Sequence, residues 1–141
     1  MSLRLAGYRD FARQLRRLDL ADSLKAAHHT VATSVVAAAE RRGLQLGGVH
    51  AHVVKTGAIR ATKEASKASV RLGGASAKYG PAFGAEFGSE RFPQFPAWRG
   101  NQNDAGYMIH PAIRDLTASG ELLDLWGDAL DRELKPPRLP D

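Results

Sequence analysis

Ala58-Ile59-Arg60-Ala61-Thr62-Lys63, followed after Glu64-Ala65-Ser66 by Lys67-Ala68-Ser69-Val70-Arg71-Leu72, has an apolar period of two. Ile59 and Ala61 fall on one face of the first run, with Arg60 and Thr62 on the other. In the second run Ala68, Val70 and Leu72 point one way and Lys67, Ser69 and Arg71 the other. Alternation of this kind marks half-buried strands. The link between the runs is short enough for a hairpin, although it has no glycine to specify the turn. Helix is the competing reading of a stretch rich in Ala and Lys.

The period changes on both sides. Upstream, Tyr8, Phe11, Leu15 and Leu18, and then Leu20, Leu24, Ala27, Val31, Val35 and Ala38, recur at helical steps. The stripe slips near Leu18-Asp19-Leu20-Ala21-Asp22, where Asp19 or Asp22 is placed to cap a second helix. The expectation is a short helix over 7–18 and a longer one ending near Arg42; a single continuous helix is the alternative. Arg41-Arg42-Gly43 reads as the stop. Gly47-Gly48 argues for a loop, with His50 to Val54 as a short strand.

Downstream, Gly73-Gly74 ends the second run, and segments 82–87 and 106–109 read as two further strands. Pro111 suits the start of a closing helix with Ile113, Leu116, Leu123, Trp126, Leu130 and Leu134 as its stripe. Its weak point is Ser119-Gly120, and Pro136-Pro137 stops it. The resulting fold class is α+β: a small antiparallel sheet packed against N-terminal and C-terminal helices, with a long loop or arm. One domain over 1–135 and a loose tail over 136–141 fit a chain of 141 residues. No internal repeat is visible.

Composition excludes several classes. Cysteine is absent, which removes disulfides, thiolate metal sites and cysteine nucleophiles. No apolar run approaches the ~20 residues that span a bilayer, and Met1-Ser2-Leu3-Arg4-Leu5 lacks the apolar stretch of a signal peptide. A soluble, intracellular domain without membrane contact is expected. The net charge of +5 is unevenly spread. Residues 44–78 hold six cations and one anion, whereas residues 115–141 hold three cations and seven anions. Opposite poles suit head-to-tail contact between identical subunits, against the plainer reading of two solvated faces.

No catalytic constellation emerges. His50 and His52 would share one face of a strand but have no third ligand nearby. His28 and His29 point about 100° apart on a helix and cannot chelate together, and His110 before Pro111 reads as a plain loop residue. Gly-x-Ser-x-Gly and the glycine-rich phosphate loops are missing. Glu86, between Ala85 and Phe87, is a single carboxylate without a second, and pairing with an arginine, within the subunit or across a contact, is its expected role. No catalytic residue, cofactor or metal is expected. Lys55, Arg60, Lys63, Lys67, Arg71 and Lys78 form a basic segment that faces either a phosphate backbone or solvent.

Between Gly88 and Gly106 no period survives. Loops of this length in compact domains tend to be functional or mobile. Phe92, Phe95 and Trp98 recur every third residue among Pro93 and Pro96, as an extended arm with one apolar edge or a loop folded over its own core. Read as an arm, it would use these aromatics as subunit-interface anchors, with Arg91 and Arg99 meeting Asp124, Asp128 and Asp131 of a neighbour.

Ala82-Phe83-Gly84-Ala85-Glu86-Phe87-Gly88-Ser89 resembles the glutamate-phenylalanine-glycine signature of a family of small neck and tail proteins of tailed bacteriophages. Arg91-Phe92-Pro93-Gln94-Phe95, Trp98-Arg99-Gly100 and Gly106-Tyr107-Met108-Ile109-His110-Pro111-Ala112-Ile113-Arg114 resemble its actinobacteriophage form. Lys55-Thr56-Gly57-Ala58-Ile59-Arg60 matches the family's threonine-glycine step into β structure, although alanine and lysine follow where leucine and arginine are usual. Glu86, Phe87, Gly88 and Pro111 are the positions that carry the family motif. The resemblance implies a structural virion protein of tail-completion or head–tail connector type, assembled in the host cytoplasm. It also implies a ring, expected to be of six, between portal and tail tube. DNA would pass through the lumen without specific binding, and other neck and tail proteins would be partners. A tail terminator subunit is the near alternative, and a small basic DNA-binding protein the alternative of another class.

Overall fold

The computed structural model describes residues 2–100 and 103–134, with side chains from Leu20 onward. The expected tail and the stop at Pro136-Pro137 lie outside the described residues, as do the side chains of the apolar stripe from Tyr8 to Leu18. Helix α1 spans Ser2–Leu46, α2 Gly48–Lys55, β1 Ile59–Ala61, β2 Val70–Leu72, α3 Ala82–Phe87, α4 Ile109–Ala118 and α5 Glu121–Leu134. A single 3-10 turn, Ala77–Tyr79, precedes α3. The class is α+β, with a two-stranded antiparallel sheet packed with N-terminal and C-terminal helices.

The hairpin forms inside the two alternating runs but is shorter than they are: only Ile59–Ala61 and Val70–Leu72 are strand, the connection runs from Thr62 to Ser69, and Ala68, expected inside, is exposed. Ile59 pairs with Leu72, Arg60 with Arg71 and Ala61 with Val70. Ile59 is buried while Arg60 and Arg71 are exposed, as the alternation requires. Thr62 N–H donates to the Ser69 carbonyl at 3.0 Å and extends the ladder toward the turn. The hairpin is fixed to α1 by two adjacent histidines. His28 Nδ1 reaches the Glu64 carbonyl and His29 Nδ1 the Thr62 carbonyl, each at 3.1 Å. Their different directions on the helix, which rule out joint chelation, let them hold two points of the link.

Five expectations are corrected. The first two helices are one, because no break occurs at Asp19 or Asp22. Gly43 does not end α1; the helix runs on to Leu46, and Gly47, at φ 69°, ends it. The segment from His50 to Val54 is helical, burying His50, Val53 and Val54 at steps of three and one. Segment 82–87 is helical as well, burying Ala82, Ala85 and Glu86 in the same pattern. Both short runs were ambiguous in period, and the i, i+3, i+4 face won because each packs one side onto a core. Segment 106–109 pairs with no strand among the described residues; its N–H groups go elsewhere. The closing helix does break at Ser119-Gly120, into α4 and α5.

The core is made largely of small side chains. Val35 and Ala39 of α1, Val53 and Val54 of α2, Ala58, Ile59, Ala82, Ala85, Met108, Ile109 and Ala112 form one buried cluster. Alanines allow close approach, and Gly43 carries this furthest. A Cβ there would stand 2.5 Å from Val54 Cγ2 and 2.9 Å from Met108 Sδ. Gly43 is a packing position inside a helix, not a terminator.

This separates two helical glycines. Gly43→Val is expected to destabilise the fold by about 2 kcal/mol through overpacking, despite valine's better helix propensity. Gly127 in α5 has nothing within 4 Å of its would-be Cβ. Gly127→Ala is therefore expected to stabilise by about 0.5–1 kcal/mol. Urea titration of both variants measures the opposite signs.

Candidate functional site

A helix leaves its first N–H groups without intrahelical acceptors. At the start of α4 these groups are inside the protein, since Met108 and Ile109 are 0% and 6% exposed. Glu86, itself 0% exposed on α3, supplies the acceptor. Its Oε2 accepts from Met108 N–H at 3.0 Å and Ile109 N–H at 2.9 Å. Its Oε1 accepts from His110 N–H at 2.9 Å and from His110 Nδ1 at 2.7 Å. The next residue is Pro111, which has no N–H. Ala112 N–H then makes the first helical bond, to the Met108 carbonyl at 3.2 Å. Every donor at this terminus is thereby accounted for.

The expected arginine partner of Glu86 is thus replaced by a helix terminus and a histidine. A carboxylate suits the positive end of the helix dipole, and three aligned N–H groups satisfy it without a cation. His110 is not a plain loop residue: it sits in the first turn of α4 with its ring 5.1 Å from that of Phe87.

Two glycines make this closure possible. Gly106 lies at φ 82°, and a Cβ there would overlap Glu86 Oε1 and crowd His110. Gly88 lies at φ 77°, and a Cβ there would overlap the Ala97 carbonyl. The loop between them folds back onto α3. Ser89 N–H donates to the Pro96 carbonyl at 2.9 Å, Arg99 N–H to Phe87 at 2.6 Å and Gly106 N–H to Arg99 at 2.9 Å. Tyr107 Oη donates to the Ala97 carbonyl at 2.6 Å.

The aromatic residues of the loop divide. Phe95 is half-buried over Gly84, so it belongs to the loop's own packing. Phe92 and Trp98 remain 51% and 43% exposed. Trp98 lies 6.3 Å from Phe87, which stacks at 6.3 Å on Phe83, 60% exposed. The result is an aromatic edge along α3 and the loop, to which sequence reasoning had not assigned Phe83. Arg91 covers Phe92 at 5.7 Å and Arg99 covers Tyr107 at 4.3 Å. An open depression of about 370 Å³ is bordered by Gly88, Ser89, Glu90, Arg91 and Trp98. Asp124, Asp128 and Asp131 stand exposed on α5, beside Leu123 at 71% exposure. Among the described residues none of these acids pairs with Arg91 or Arg99 within the chain.

His50 and His52 are not a surface pair: His52 is exposed, but His50 is buried with its ring 5.4 Å from that of Tyr107. His50 Nε2 has no hydrogen-bond partner among the described residues. No group of three or more metal-ligating side chains occurs among them. The chain matches no family model, no curated protein and no solved structure.

Two predictions follow from these buried groups. Glu86→Ala leaves three buried N–H groups without an acceptor and is expected to destabilise by about 3 kcal/mol or more. Glu86→Gln keeps an acceptor but turns an amide toward donors, and is expected to cost roughly 2 kcal/mol. Chemical denaturation measures both. Burial lowers the pKa of His50, opposed in part by the Ala85 carbonyl, the Glu86 charge and the Gly47 carbonyl. The unfolded chain then takes up the proton first as pH falls. Stability is full above the ordinary histidine value of 6.5 and is lost as pH drops toward the lowered one. His50→Gln is expected to flatten the stability–pH slope between about pH 7 and 5.

Proposed function

We propose that this chain is a structural subunit of the neck of a tailed bacteriophage, of tail-completion or head–tail connector type, which assembles with copies of itself into a ring between portal and tail tube. The observation that carries the reading is a pair of unlike surfaces. One is the aromatic edge of Phe83, Phe87 and Trp98, together with exposed Phe92, Arg91 and Arg99 of the loop. The other is the acidic outer face of α5, with Leu123 as its most exposed apolar side chain. A contact between unlike patches is heterologous, and it closes into a ring when the rotation permits. In this reading Leu123 of one copy enters the depression beside Trp98 of the next, while the arginine–aspartate pairs set register.

The residues that carry the likeness to the phage family share one structural task in this chain. Glu86 accepts from the start of the helix that contains Pro111, and Gly88 and Gly106 open the space. A signature of this kind holds a shape and performs no reaction. The tail terminator alternative uses the same ring logic.

Charge-swapped variants test the assembly. Arg91→Glu with Arg99→Glu in one chain, and Asp124→Arg with Asp128→Arg in another, are each expected to lose self-association. Mixed together they are expected to regain it as an alternating ring, read by light scattering. Trp98→Ala or Leu123→Ala is expected to weaken association roughly thirtyfold, as a buried anchor of about 2 kcal/mol implies. Wild-type protein that stays monomeric at high concentration and low salt, or a mixture that fails to recover, overturns the reading.

A further inference from the structure

We propose that the outer face of the β1–β2 hairpin is a contact surface for the phosphate backbone of duplex DNA. The inference stands on the hairpin and not on the aromatic edge. Arg60 and Arg71 are directly opposite each other in the antiparallel register, and both are exposed. Like charges in that relation destabilise a sheet. Lys63 and Lys67 extend the same charge toward the turn, and both are exposed. Among the described residues no carboxylate pairs with any of these four.

The fold also holds cations together here. Arg60 donates to the Gly73 carbonyl through its Nη2. Its guanidinium lies 5.3 Å from the ring centre of Tyr79, and Lys78 Nζ lies 5.0 Å from the same ring. One aromatic ring therefore gathers two positive side chains. Gly74 is tight against this arrangement, for a Cβ there would stand 3.0 Å from Tyr79 Cδ2 and 3.3 Å from Arg60 Nη2. Repulsion would normally spread such charges, and the structure concentrates them.

The shape and chemistry of the face select the ligand. An open depression of about 330 Å³ is lined by Arg60, Ala61, Thr62, Lys63, Glu64 and Arg71, three of them cations. Glu64 is the one carboxylate in that lining, and its Oε2 is buried. The exposed side chains of the hairpin include no aromatic and no large apolar residue. An acidic protein partner would find no hydrophobic anchor there, and a base would find no stacking platform. Phosphates need only charge and reach. Contact is therefore weak and blind to sequence. Within the ring reading, on which this last step rests, the hairpin faces the channel through which DNA passes.

The probe is a fluorescent 20-base-pair duplex, followed by anisotropy across a salt series. Binding is expected to be micromolar at low salt, with log affinity falling against log salt by about 0.9 per phosphate contacted. Arg71→Ala and Lys67→Ala are each expected to reduce that slope by about one unit, equally for two unrelated sequences. Arg91→Ala, on the aromatic edge, is expected to leave it unchanged. Light scattering on the same proteins keeps the two readings apart. Loss of DNA binding in Arg71→Glu/Lys67→Glu with self-association intact supports the hairpin surface whatever becomes of the ring. An unchanged salt slope in that variant, or loss of self-association with DNA binding intact, overturns it and makes the face a protein contact.

Discussion

Three backbone N–H groups at the start of α4 face the interior, and the carboxylate of Glu86 accepts from all of them. Much of the second half of the chain depends on that arrangement. Without an internal acceptor the first turn of α4 would have to open to water, and Met108, which packs against Gly43 of α1, would leave the core. The same carboxylate fixes the His110 ring, and that ring packs on Phe87. One buried anion thus links α3, the start of α4 and the base of the loop. Its charge is balanced by amide dipoles and an imidazole, so the helix direction matters as much as any side chain.

The other determinant is the scarcity of bulk at the places where helices meet. Ala32 and Ala39 on α1 are at most 1% exposed, and Gly43 continues their line. A long helix with such a face is a flat platform, and α2, α4, α5 and the hairpin all rest on it. His28 and His29 then hold the hairpin by its carbonyls. Tertiary hydrogen bonds stand in for the missing strands, since a two-stranded hairpin alone is marginal in water.

The register of the hairpin and the break at Ser119-Gly120 were legible because each rests on local rules: alternation for the strands, a poor helix former beside glycine for the break. The alternation overran, since the strands cover only half of each run and Ala68 is exposed. The α2 and α3 helices were missed because runs of six to eight residues satisfy both periods. In α3 the decisive clue was Glu86 itself. A strand would have set it opposite its apolar neighbours, whereas a helix places it beside Ala82 and Ala85 on the buried face. Its partner was beyond sequence reasoning, because the acceptors and donors of a helix end depend on where that end sits in space. The glycine–proline frame of Gly106 and Pro111 was the available signal. The sites of Phe92, Trp98 and the acids on α5 were legible as exposed groups, but Phe95 was not separable from them by spacing.

The loop from Ser89 to Asp104 begins and ends at fixed points. Glu86 lies just before it, Gly106 just after, and the two are locked together at the mouth of α4. Between those points its second half is bonded back onto α3 and the mouth of α4, with Phe95 over Gly84, Arg99 N–H on the Phe87 carbonyl and Gly106 N–H on the Arg99 carbonyl. Doubling the length of a flexible loop adds only about 0.6 kcal/mol of closure cost. Changes of length at that low cost are therefore confined to the exposed stretch from Glu90 to Gln94. That stretch is a natural place to graft a foreign peptide, displayed from a base that Phe95 and Arg99 help to hold in shape.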